Sequence, residues 1–397
     1  MFEKLDIIPQ DPILSLMMEF QGDNNPNKVD LGVGVYKTPT GETPILASIK
    51  TAEEYRWRNE ATKSYIGGPG NADFNQLMRE LALGKDHKVL AQGRVASIQA
   101  PGGCGSLRLG AELINRIKPG NKIWMSNPTW ANHVPLFGEA GLEIAEYPYY
   151  DRESCSVRFD EMYKTLEQEA KAGDVVLLHA CCHNPCGADL NAEQWQTMAE
   201  LCKSKGLVPF LDMAYQGFGS GLVEDTIGVR TMADTVDEMF VAISCSKNFG
   251  LYRERIGLLM AITQDSNAAQ AVSSQLINIA RGIWSMPPAH GAALVATILG
   301  SDELTKQWEA EVKEMRDRIN GLRSQAVAKL NAACNGVDFS FIEKEFGMFS
   351  FLGISPEQVA KLKADYGIYM VSSSRINVAG LNDSNLDYFA DSVAKVL

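Results

Sequence analysis

The sequence contains no long apolar segment. None of its stretches approaches the ~18 consecutive apolar residues that a membrane-spanning helix requires. The N-terminus, Met1-Phe-Glu-Lys-Leu-Asp6, carries acidic residues where a secretion signal needs a basic segment followed by an apolar one. We therefore expect a protein that is neither exported nor bound to a membrane and that resides in the cytoplasm.

Runs of basic residues are also missing. The 397 residues include 37 Lys and Arg against 49 Asp and Glu, which gives a formal net charge of -12. An acidic surface without a basic run repels phosphate backbones and anionic lipid, so binding to nucleic acid or to a membrane surface is not expected. Small anionic ligands can still bind where individual arginines are available.

Cysteine is sparse, with eight residues in the chain. Cys181 and Cys182 are adjacent, which is a poor geometry for an ordinary disulfide bond. We therefore expect reduced thiols, as in cytosolic proteins. Internal repeats, low-complexity tracts and long linkers are absent too, so any division into domains must arise from packing.

Short β-rich apolar runs alternate with amphipathic helical stretches through the middle of the chain. The predicted strands are Val95–Gln99, Lys122–Met125, Val175–His179, Val208–Asp212, Met239–Ser244 and Gly257–Ile262. This alternation is typical of an α/β protein whose mostly parallel sheet is covered by helices on both faces. Between two of these runs, Asn191 and Gln194 predict a capped helix start and Gly206 predicts the helix end.

The pattern changes beyond Ser301. Apolar residues recur every three or four positions and predict a helix that extends to Leu330, roughly 40 Å at 1.5 Å per residue. Three short runs follow that resemble strands: Phe339–Phe341, Met348–Phe351 and Ile368–Val371. We interpret this region as a smaller α+β unit that the long helix joins to the first.

Polar or glycine-rich segments follow five of the predicted strands. They are Gly102–Ser106, Asn127–Trp130, His179–Gly187, Asp212–Tyr215 and Ser244–Lys247. Ligands of open α/β sheets bind at the C-terminal ends of the strands. These segments are therefore the candidate functional site.

The Gly102–Gly105 turn opens a helix whose apolar face includes Leu107 and Leu109. Backbone N–H groups at such a helix start can bind a phosphate. The turn is not a dinucleotide-binding fingerprint, because the third glycine falls at Gly110 and the next strand ends in Ser126-Asn127 instead of an acid. A plain tight turn is the alternative interpretation.

Three charged side chains are candidates for the functional site, although residue type alone does not establish a role for any of them. Lys247 directly follows a β-rich run, where burial of its stem can lower the pKa of the amine towards a reactive form. Asp212 ends another strand, and Arg255 precedes a third and can fork onto a phosphate. A solvated lysine, a turn-forming aspartate and a surface arginine are the ordinary alternatives.

The segment from His179 to Gly187 raises the question of a metal site, because it contains two histidines and three cysteines. Zinc sites normally need two separated ligand pairs, and all candidates here crowd into one strand end. Alternation along a strand would send these side chains to opposite faces. We predict no metal and interpret the thiols as small apolar fillers.

Taken together, these segments resemble the class I, fold-type I aminotransferases, which use pyridoxal 5′-phosphate (PLP). Within that family the resemblance is greatest to aspartate aminotransferases, with aromatic aminotransferases as near relatives. The matching strings span essentially the whole chain: Asp11-Pro-Ile-Leu14, Leu31-Gly-Val-Gly-Val-Tyr36, Cys181-Cys-His-Asn-Pro185, Asp212-Met-Ala-Tyr-Gln-Gly217, Ser244 to Tyr252, Pro287-Pro-Ala-His-Gly291, Gly347-Met-Phe-Ser-Phe351 and Arg375-Ile-Asn-Val-Ala-Gly380.

The resemblance implies the architecture of the family. It implies a large PLP-binding domain, residues 45–304, with a mostly parallel seven-stranded sheet between helices. A smaller α+β domain would comprise residues 12–44 and 305–397, and residues 1–11 would form an arm lying on the partner of a homodimer.

It also implies the roles of the residues around the cofactor ring. Lys247 would link covalently to PLP and then move the proton between the substrate Cα and the cofactor C4′. Asp212 would keep the pyridine nitrogen protonated, with His133 lying behind it. The remaining ring contacts would come from Tyr215, Asn184 and the stacked Trp130.

The phosphate and the substrate carboxylates would be bound by further residues of the same resemblance. The phosphate would contact Gly103, Cys104, Ser244, Arg255 and, from the second subunit, Tyr65. The substrate would contact Gly34, Trp130, Asn184, Arg375 at its α-carboxylate and the partner's Arg281 at its distal carboxylate. An ordinary surface arginine is the alternative for either arginine position.

Four residues depart from the family pattern. Cys104 stands where a hydroxyl residue is usual in the phosphate turn, Cys186 replaces a usual Thr, Cys245 a usual aromatic and Met286 a usual Asn. The loss of that polar neighbour beside Arg281 weakens the argument for strict dicarboxylate use.

Our leading hypothesis is a homodimeric aminotransferase acting on aspartate and 2-oxoglutarate by a ping-pong cycle. An aromatic aminotransferase of broadened specificity is the alternative. A PLP-dependent β-lyase or decarboxylase, a nicotinamide dehydrogenase and a metal or redox protein using the Cys181–Cys186 segment remain as other classes.

Overall fold

The computed structural model describes residues 2–8 and 10–397 of the chain. Within the predicted N-terminal arm, Met1 and Pro9 lie outside the described residues. The chain divides into two compact units, one of Met1–Thr43 with Arg318–Leu397 and the other of Pro44–Asp317.

The helices account for most of the regular structure. The α-helices are α1 (Pro12–Gly22), α2 (Ala47–Asn59), α3 (Ala72–Leu83), α4 (Lys88–Ala91), α5 (Gly102–Ile117), α6 (His133–Gly138), α7 (Phe159–Glu169), α8 (Ala192–Lys205), α9 (Ile227–Thr235), α10 (Ser266–Ile283), α11 (His290–Leu299), α12 (Asp302–Ala333), α13 (Pro356–Tyr366) and α14 (Leu386–Val396). Short 3-10 helices lie at Phe2–Lys4, Glu224–Thr226, Ser340–Lys344 and Val378–Gly380.

The strands are shorter than most of the helices. They are β1 (Val29–Asp30), β2 (Val95–Pro101), β3 (Lys122–Asn127), β4 (Glu143–Pro148), β5 (Tyr150–Asp151), β6 (Ser156–Val157), β7 (Val175–His179), β8 (Val208–Met213), β9 (Met239–Ser244), β10 (Ile256–Ile262), β11 (Phe349–Phe351), β12 (Ile368–Tyr369) and β13 (Arg375–Asn377).

The unit Pro44–Asp317 is built on a seven-stranded sheet with the order β2-β10-β9-β8-β7-β3-β4. β10 is antiparallel to both of its neighbours, whereas the pairs from β9 through β4 are parallel. The predicted α/β fold with a mostly parallel seven-stranded sheet is therefore confirmed. The six runs identified from apolar pattern all form strands, and the seventh, β4, did not stand out from the sequence.

Helix α5 packs closely on this sheet because it carries glycine where a strand side chain approaches. A Cβ atom on Gly110 would lie 2.5 Å from Cζ of Phe210 in β8. Leu107 and Leu109 are fully buried, as their predicted position on the apolar face requires. The start of α5 is thereby held at the C-terminal edge of the parallel strands.

The predicted helix boundaries near residue 191 are confirmed. The Asn191 side chain accepts a hydrogen bond from the Gln194 N–H, and the Gln194 side chain accepts one from the Asn191 N–H. Gly206 ends α8 in the left-handed conformation, with φ of 66°. The predicted long helix is also present as α12, which contains 32 residues.

The other unit contains two small sheets. β1 pairs in parallel with β12, and β11 pairs antiparallel with β13. The predicted strand at Phe339–Phe341 was wrong, because Ser340–Lys344 forms a 3-10 helix. The Asp338 carboxylate accepts hydrogen bonds from the Ser340 N–H and hydroxyl, which favours a turn over an extended chain.

Across the described residues, no helix has both the length and the apolar character needed to cross a membrane.

Gly257 in β10 lies so close to the start of α5 that any side chain there should destabilise the fold. A Cβ atom there would lie 2.6 Å from the carbonyl carbon and oxygen of Gly102 and 2.7 Å from the Ile243 oxygen. Since these are backbone atoms, Gly257→Ala should lower the free energy of unfolding by about 1–3 kcal/mol. Thermal unfolding of the variant measures this.

Gly321 supplies the matched control, because it is exposed within α12 and a Cβ there meets nothing within 4 Å. Gly321→Ala should raise the free energy of unfolding by about 0.5–1 kcal/mol. A Gly257→Ala variant as stable as the parent would contradict the packing described here.

Candidate active site

The N-terminus of α5, the end of β9 and the start of β10 form a cup lined by hydrogen-bond donors. A Cβ on Gly102 would lie 2.3 Å from Nη2 of Arg255, and a Cβ on Gly103 would lie 3.3 Å from Cβ of Ser244. The two glycines therefore let a guanidinium and a hydroxyl approach the backbone N–H groups of the helix start. Such a cup suits a phosphate group.

The Arg255 side chain is positioned by an unusual backbone conformation and by a hydrogen bond. Its φ is 55°, in the left-handed region that few non-glycine residues adopt. Its Nη1 donates to the Tyr252 carbonyl oxygen at 2.8 Å. Ser244 Oγ donates to Ser246 Oγ at 3.0 Å, so a second hydroxyl lies near the cup.

Cys104 occupies the third position of α5, partly buried beside the cup. Burial raises the pKa of its thiol, although the charges of Arg255 and Lys247 act in the opposite direction. The side chain amide of Asn132 lies 3.7 Å from the sulfur. The neutral thiol adds no negative charge that would repel an anion.

Lys247 lies three residues beyond the end of β9, with its Nζ 4.6 Å from the centroid of the Tyr215 ring. Burial lowers the pKa of its amine, and the charge of Arg255 contributes in the same direction. The charge of Asp212 opposes this shift without cancelling it. The result is an amine with more of the unprotonated, nucleophilic form at neutral pH.

Asp212 lies in β8 and is 7% exposed. Its Oδ2 is 3.0 Å from Nε2 of His133. Burial raises the pKa of the carboxyl group, but the hydrogen bond from His133 and the electrostatic interaction with neighbouring basic groups outweigh burial and lower it overall. Asp212 is therefore a buried carboxylate that remains ionised and can stabilise a positive charge placed against it.

Three histidines extend inward from this carboxylate. His133 Nδ1 is 2.8 Å from Thr129 Oγ1, and the His133 and His179 ring centroids are 5.2 Å apart. The His179 and His183 centroids are 4.0 Å apart. Burial lowers the pKa of His179 to about 3, and the charge of His133 adds to this effect.

Thr129 and His179 lie in segments that the sequence predicted for the site, but neither was assigned a role there. His179 could have been found from strand order, because it is the register partner of Asp212 across the β7–β8 pair.

Asn184, Tyr215 and Trp130 lie in loops at the same edge of the sheet. Asn184 and Tyr215 are 7% and 5% exposed. The ring of Trp130 packs edge-on against His133, with centroids 5.2 Å apart. The Asp189 carboxylate, which sequence reasoning missed, accepts the N–H groups of Cys182 and His183 at 2.6 and 2.8 Å and so fixes the chain ahead of Asn184.

The cysteine side chains do not alternate between the two faces of a strand, so that prediction was wrong. β7 ends at His179, and Cys182 has a φ of 53°, so the segment is not a strand. Ligand atoms of Cys181, Cys182 and Asp225 lie within 4.8 Å of one another. The Asp225 carboxylate accepts hydrogen bonds from four backbone N–H groups, those of Gly217, Gly219, Ser220 and Gly221.

A second cluster of predicted residues lies in the unit that contains both termini. Arg375 is 5% exposed, and its Nη2 donates to the Gly32 carbonyl oxygen at 2.7 Å. Its guanidinium carbon is 4.3 Å from the centroid of the Phe349 ring. A Cβ on Gly34 would lie 2.9 Å from the same ring, so glycine is what allows the close approach.

Tyr65, Arg281 and Met286 line one pocket together with Ile277, Ser285 and their neighbours. Tyr65 is 93% exposed, and Arg281 donates a hydrogen bond to the Ser285 hydroxyl. The residues lining this pocket include neither Lys247 nor Asp212. Within one chain, Tyr65 and Arg281 therefore line the same pocket, and none of the cup residues lines it.

Known proteins share both the sequence and the fold. Residues 26–393 match the family model described as aminotransferase class I and II. The chain is 46% identical to the aspartate aminotransferase of Escherichia coli (strain K12), with 100% of both chains covered. It is also 46% identical to an aromatic-amino-acid aminotransferase of Pseudomonas aeruginosa, covering 100% of this chain and 98% of that one.

A similar solved structure is the aromatic-amino-acid aminotransferase of Burkholderia pseudomallei, which is covalently bound to pyridoxal phosphate. The TM-score is 0.98 at 44% identity, and the match covers 100% of this chain and 99% of that one.

The buried imidazole of His179, next to Asp212, should make the folded protein less stable in acid. The pKa of His179 is about 3 in the folded chain against an ordinary value of 6.5, so the unfolded chain binds an extra proton between these limits. Stability should fall as pH drops below about 6.5, by about 1.4 kcal/mol per pH unit from this residue. His179→Gln should remove that part of the slope, measured by urea unfolding from pH 4.5 to 7.

The exposed Gln270, which carries no titratable group, serves as control, and Gln270→Ala should leave the slope unchanged. Equal slopes for the parent and His179→Gln would show that His179 does not carry this acid sensitivity.

Proposed function

The chain belongs to the class I and II aminotransferase family, and from that membership we propose that it transfers an amino group between L-aspartate and 2-oxoglutarate, with PLP as the carrier. The observation that carries the proposal is one edge of a sheet where an amine of lowered pKa, an ionised buried carboxylate and an anion-binding cup occur together. We propose a ping-pong cycle, in which the donor leaves as an oxo acid before the acceptor binds.

The residues present fit PLP. The cup of Gly102, Gly103, Ser244 and Arg255 offers donors to a phosphate, and its glycines leave the space that a Cβ would fill. When bound, PLP supplies an aldehyde that condenses with amines and a pyridinium ring that draws electrons away from the substrate Cα.

Lys247 then acts as the proton carrier of the reaction. Its amine, with a pKa lowered mainly by burial, takes the proton from the substrate Cα as a base and returns it as an acid. Asp212 holds a positive charge on the ring nitrogen, and its ionisation is maintained by His133. Tyr215 and Asn184 would donate hydrogen bonds to the bound group, and Trp130 would cover it.

Two arginines recognise the substrate carboxylates. Arg375 binds the α-carboxylate through its guanidinium fork, and the backbone at Gly34 contributes beside it. The Phe349 ring lies against the Arg375 guanidinium and limits its rotation. Arg281 binds the distal carboxylate of aspartate, glutamate or their oxo acids.

We further propose that the active form is a homodimer located in the cytoplasm. The pocket that groups Tyr65 with Arg281 supports delivery of both residues to the partner's site. The proposed arm, residues 1–11, exposes Phe2, Leu5, Ile7 and Ile8, an apolar surface that a partner would cover. Among the described residues the cysteines form no disulfide bond, which is usual for proteins of the cytoplasm.

Aromatic amino acids are the second candidate substrates. Met286 and Ile277 line the pocket of Arg281, so an apolar side chain would find apolar contacts there. Relatives at 46% identity carry both names, aspartate and aromatic-amino-acid aminotransferase. We propose that Arg281 turns outward when an aromatic side chain binds.

Replacing the reactive amine tests the chemistry. Lys247→Ala should abolish the visible absorbance of the covalently linked cofactor and reduce turnover by at least about 10³-fold, because the base and the covalent link are both lost. An absorbance spectrum and an assay with aspartate and 2-oxoglutarate measure this. The exposed Lys50→Ala serves as control, and substantial transamination by Lys247→Ala would exclude the proposed role.

Replacing the distal arginine tests specificity. Arg281→Asp should lower kcat/KM for aspartate by about 10²–10³-fold, because a charge-assisted hydrogen bond becomes a repulsion, but for phenylalanine by less than about 10-fold. A panel of amino donors with 2-oxoglutarate measures the ratio. Equal losses for both classes would remove Arg281 from substrate selection.

The same variant also tests whether sites are shared. Co-expression of Arg281→Asp with Lys247→Ala should restore about a quarter of the parental aspartate activity, because half of the dimers then contain one intact site. No restoration would show that Arg281 serves the site of its own chain.

A further inference from the structure

Arg323 lies fully buried in α12, with 2% of its side chain surface exposed. Its guanidinium donates hydrogen bonds to the segment that leads into β11 and to β11 itself. The acceptors are the carbonyl oxygens of Ile342 at 2.9 Å, Phe346 at 3.2 Å, Gly347 at 2.8 Å and Phe349 at 2.6 Å, and Oγ of Ser350 at 2.6 Å.

The charge of this arginine is balanced within the same segment. Glu345 Oε2 lies 3.6 Å from Arg323 Nη1, and its side chain is also 2% exposed. Ser350 Oγ donates a hydrogen bond to Glu345, so the three side chains form one buried network. A buried ion pair by itself need not stabilise the fold. Its effect here is to hold one conformation of the segment around β11.

The segment that Arg323 binds carries the ring on which Arg375 rests. The Phe349 carbonyl oxygen accepts from Arg323 at 2.6 Å, and the ring of Phe349 lies 4.3 Å from the Arg375 guanidinium carbon. The β11–β13 register places Phe351 opposite Arg375. Gly34 approaches the same ring, since a Cβ there would lie 2.9 Å from it.

We propose that Arg323 is a positioning residue for the α-carboxylate site, which rests on the proposed function of Arg375. By binding the carbonyl oxygens of Gly347 and Phe349 and the hydroxyl of Ser350, Arg323 fixes the height and tilt of the ring that supports the Arg375 guanidinium. The carboxylate-binding fork is therefore oriented before the substrate arrives, and less rotamer freedom is lost on binding.

The planar fork of arginine is what this arrangement requires. Both Nη atoms donate to several acceptors at once, and a lysine ammonium cannot reproduce that pattern from a single nitrogen. Arg323→Lys keeps the buried positive charge and removes the fork. It thus separates the geometry from the charge balance with Glu345.

The test compares holoenzyme variants in steady-state assays. Arg323→Lys should raise KM by about tenfold, and by a similar factor, for aspartate, phenylalanine and 2-oxoglutarate, because all three carry an α-carboxylate. kcat should fall by less than KM rises. The absorbance of the bound cofactor should be unchanged, because no cofactor contact is altered.

Leu330→Ala is the matched control, since Leu330 is also fully buried in α12. Both variants should lower the unfolding temperature, but only Arg323→Lys should raise KM. Unchanged KM values in Arg323→Lys, or an equal KM rise in Leu330→Ala, would overturn the proposal. If Arg323→Lys does not fold, Ser350→Ala decides in its place, with a uniform KM rise supporting the proposal and unchanged values refuting it.

Arg375→Lys separates this inference from the proposed function. If Arg375→Lys leaves KM unchanged, the α-carboxylate assignment itself fails and the inference fails with it. If Arg375→Lys raises KM while Arg323→Lys does not, only the positioning role is refuted.

Discussion

The buried negative charge of Asp212 is the constraint around which the larger unit is organised. An ionised carboxylate out of water is costly unless hydrogen bonds and opposite charges compensate it. His133 donates that hydrogen bond, Thr129 orients the histidine, and Lys247 adds a positive charge at the next strand end. The parallel order of β3, β7, β8 and β9 is what brings these groups to one edge of the sheet.

Much of this unit could be predicted from the chain because its strands are buried on both faces and appear as continuous apolar runs. β4 did not stand out because it lies at the edge of the sheet and contains the polar residues Glu143 and Glu146. The turn at Phe339 was mistaken for a strand because its aromatic residues are typical of strands, whereas the side chains of Asp338 and Asn331 determine the local backbone.

The site was predictable to the extent that its residues directly follow strands. Lys247, Asp212 and Gly102 each follow or end an apolar run, and together they indicate a phosphate-containing ligand even though each has an ordinary alternative. Asp189 and Arg323 could not be found in this way. They act through backbone groups of other segments, and Arg323 contacts Phe349 across 26 positions of the chain, so only the folded structure brings them together.

The close approach of Gly257 to the Gly102 carbonyl has a consequence for how the protein can change over evolutionary time. Every single-nucleotide change in a glycine codon that alters the encoded residue introduces at least a β-carbon, and the facing atoms are main chain, so no neighbouring substitution can make room. Substitutions of Gly257 are therefore disfavoured by the fold itself, independently of any selection on catalysis. Lineages that vary their substrate preference are expected to do so through the pocket walls, while the crossing of strand and helix beneath the anion cup stays invariant.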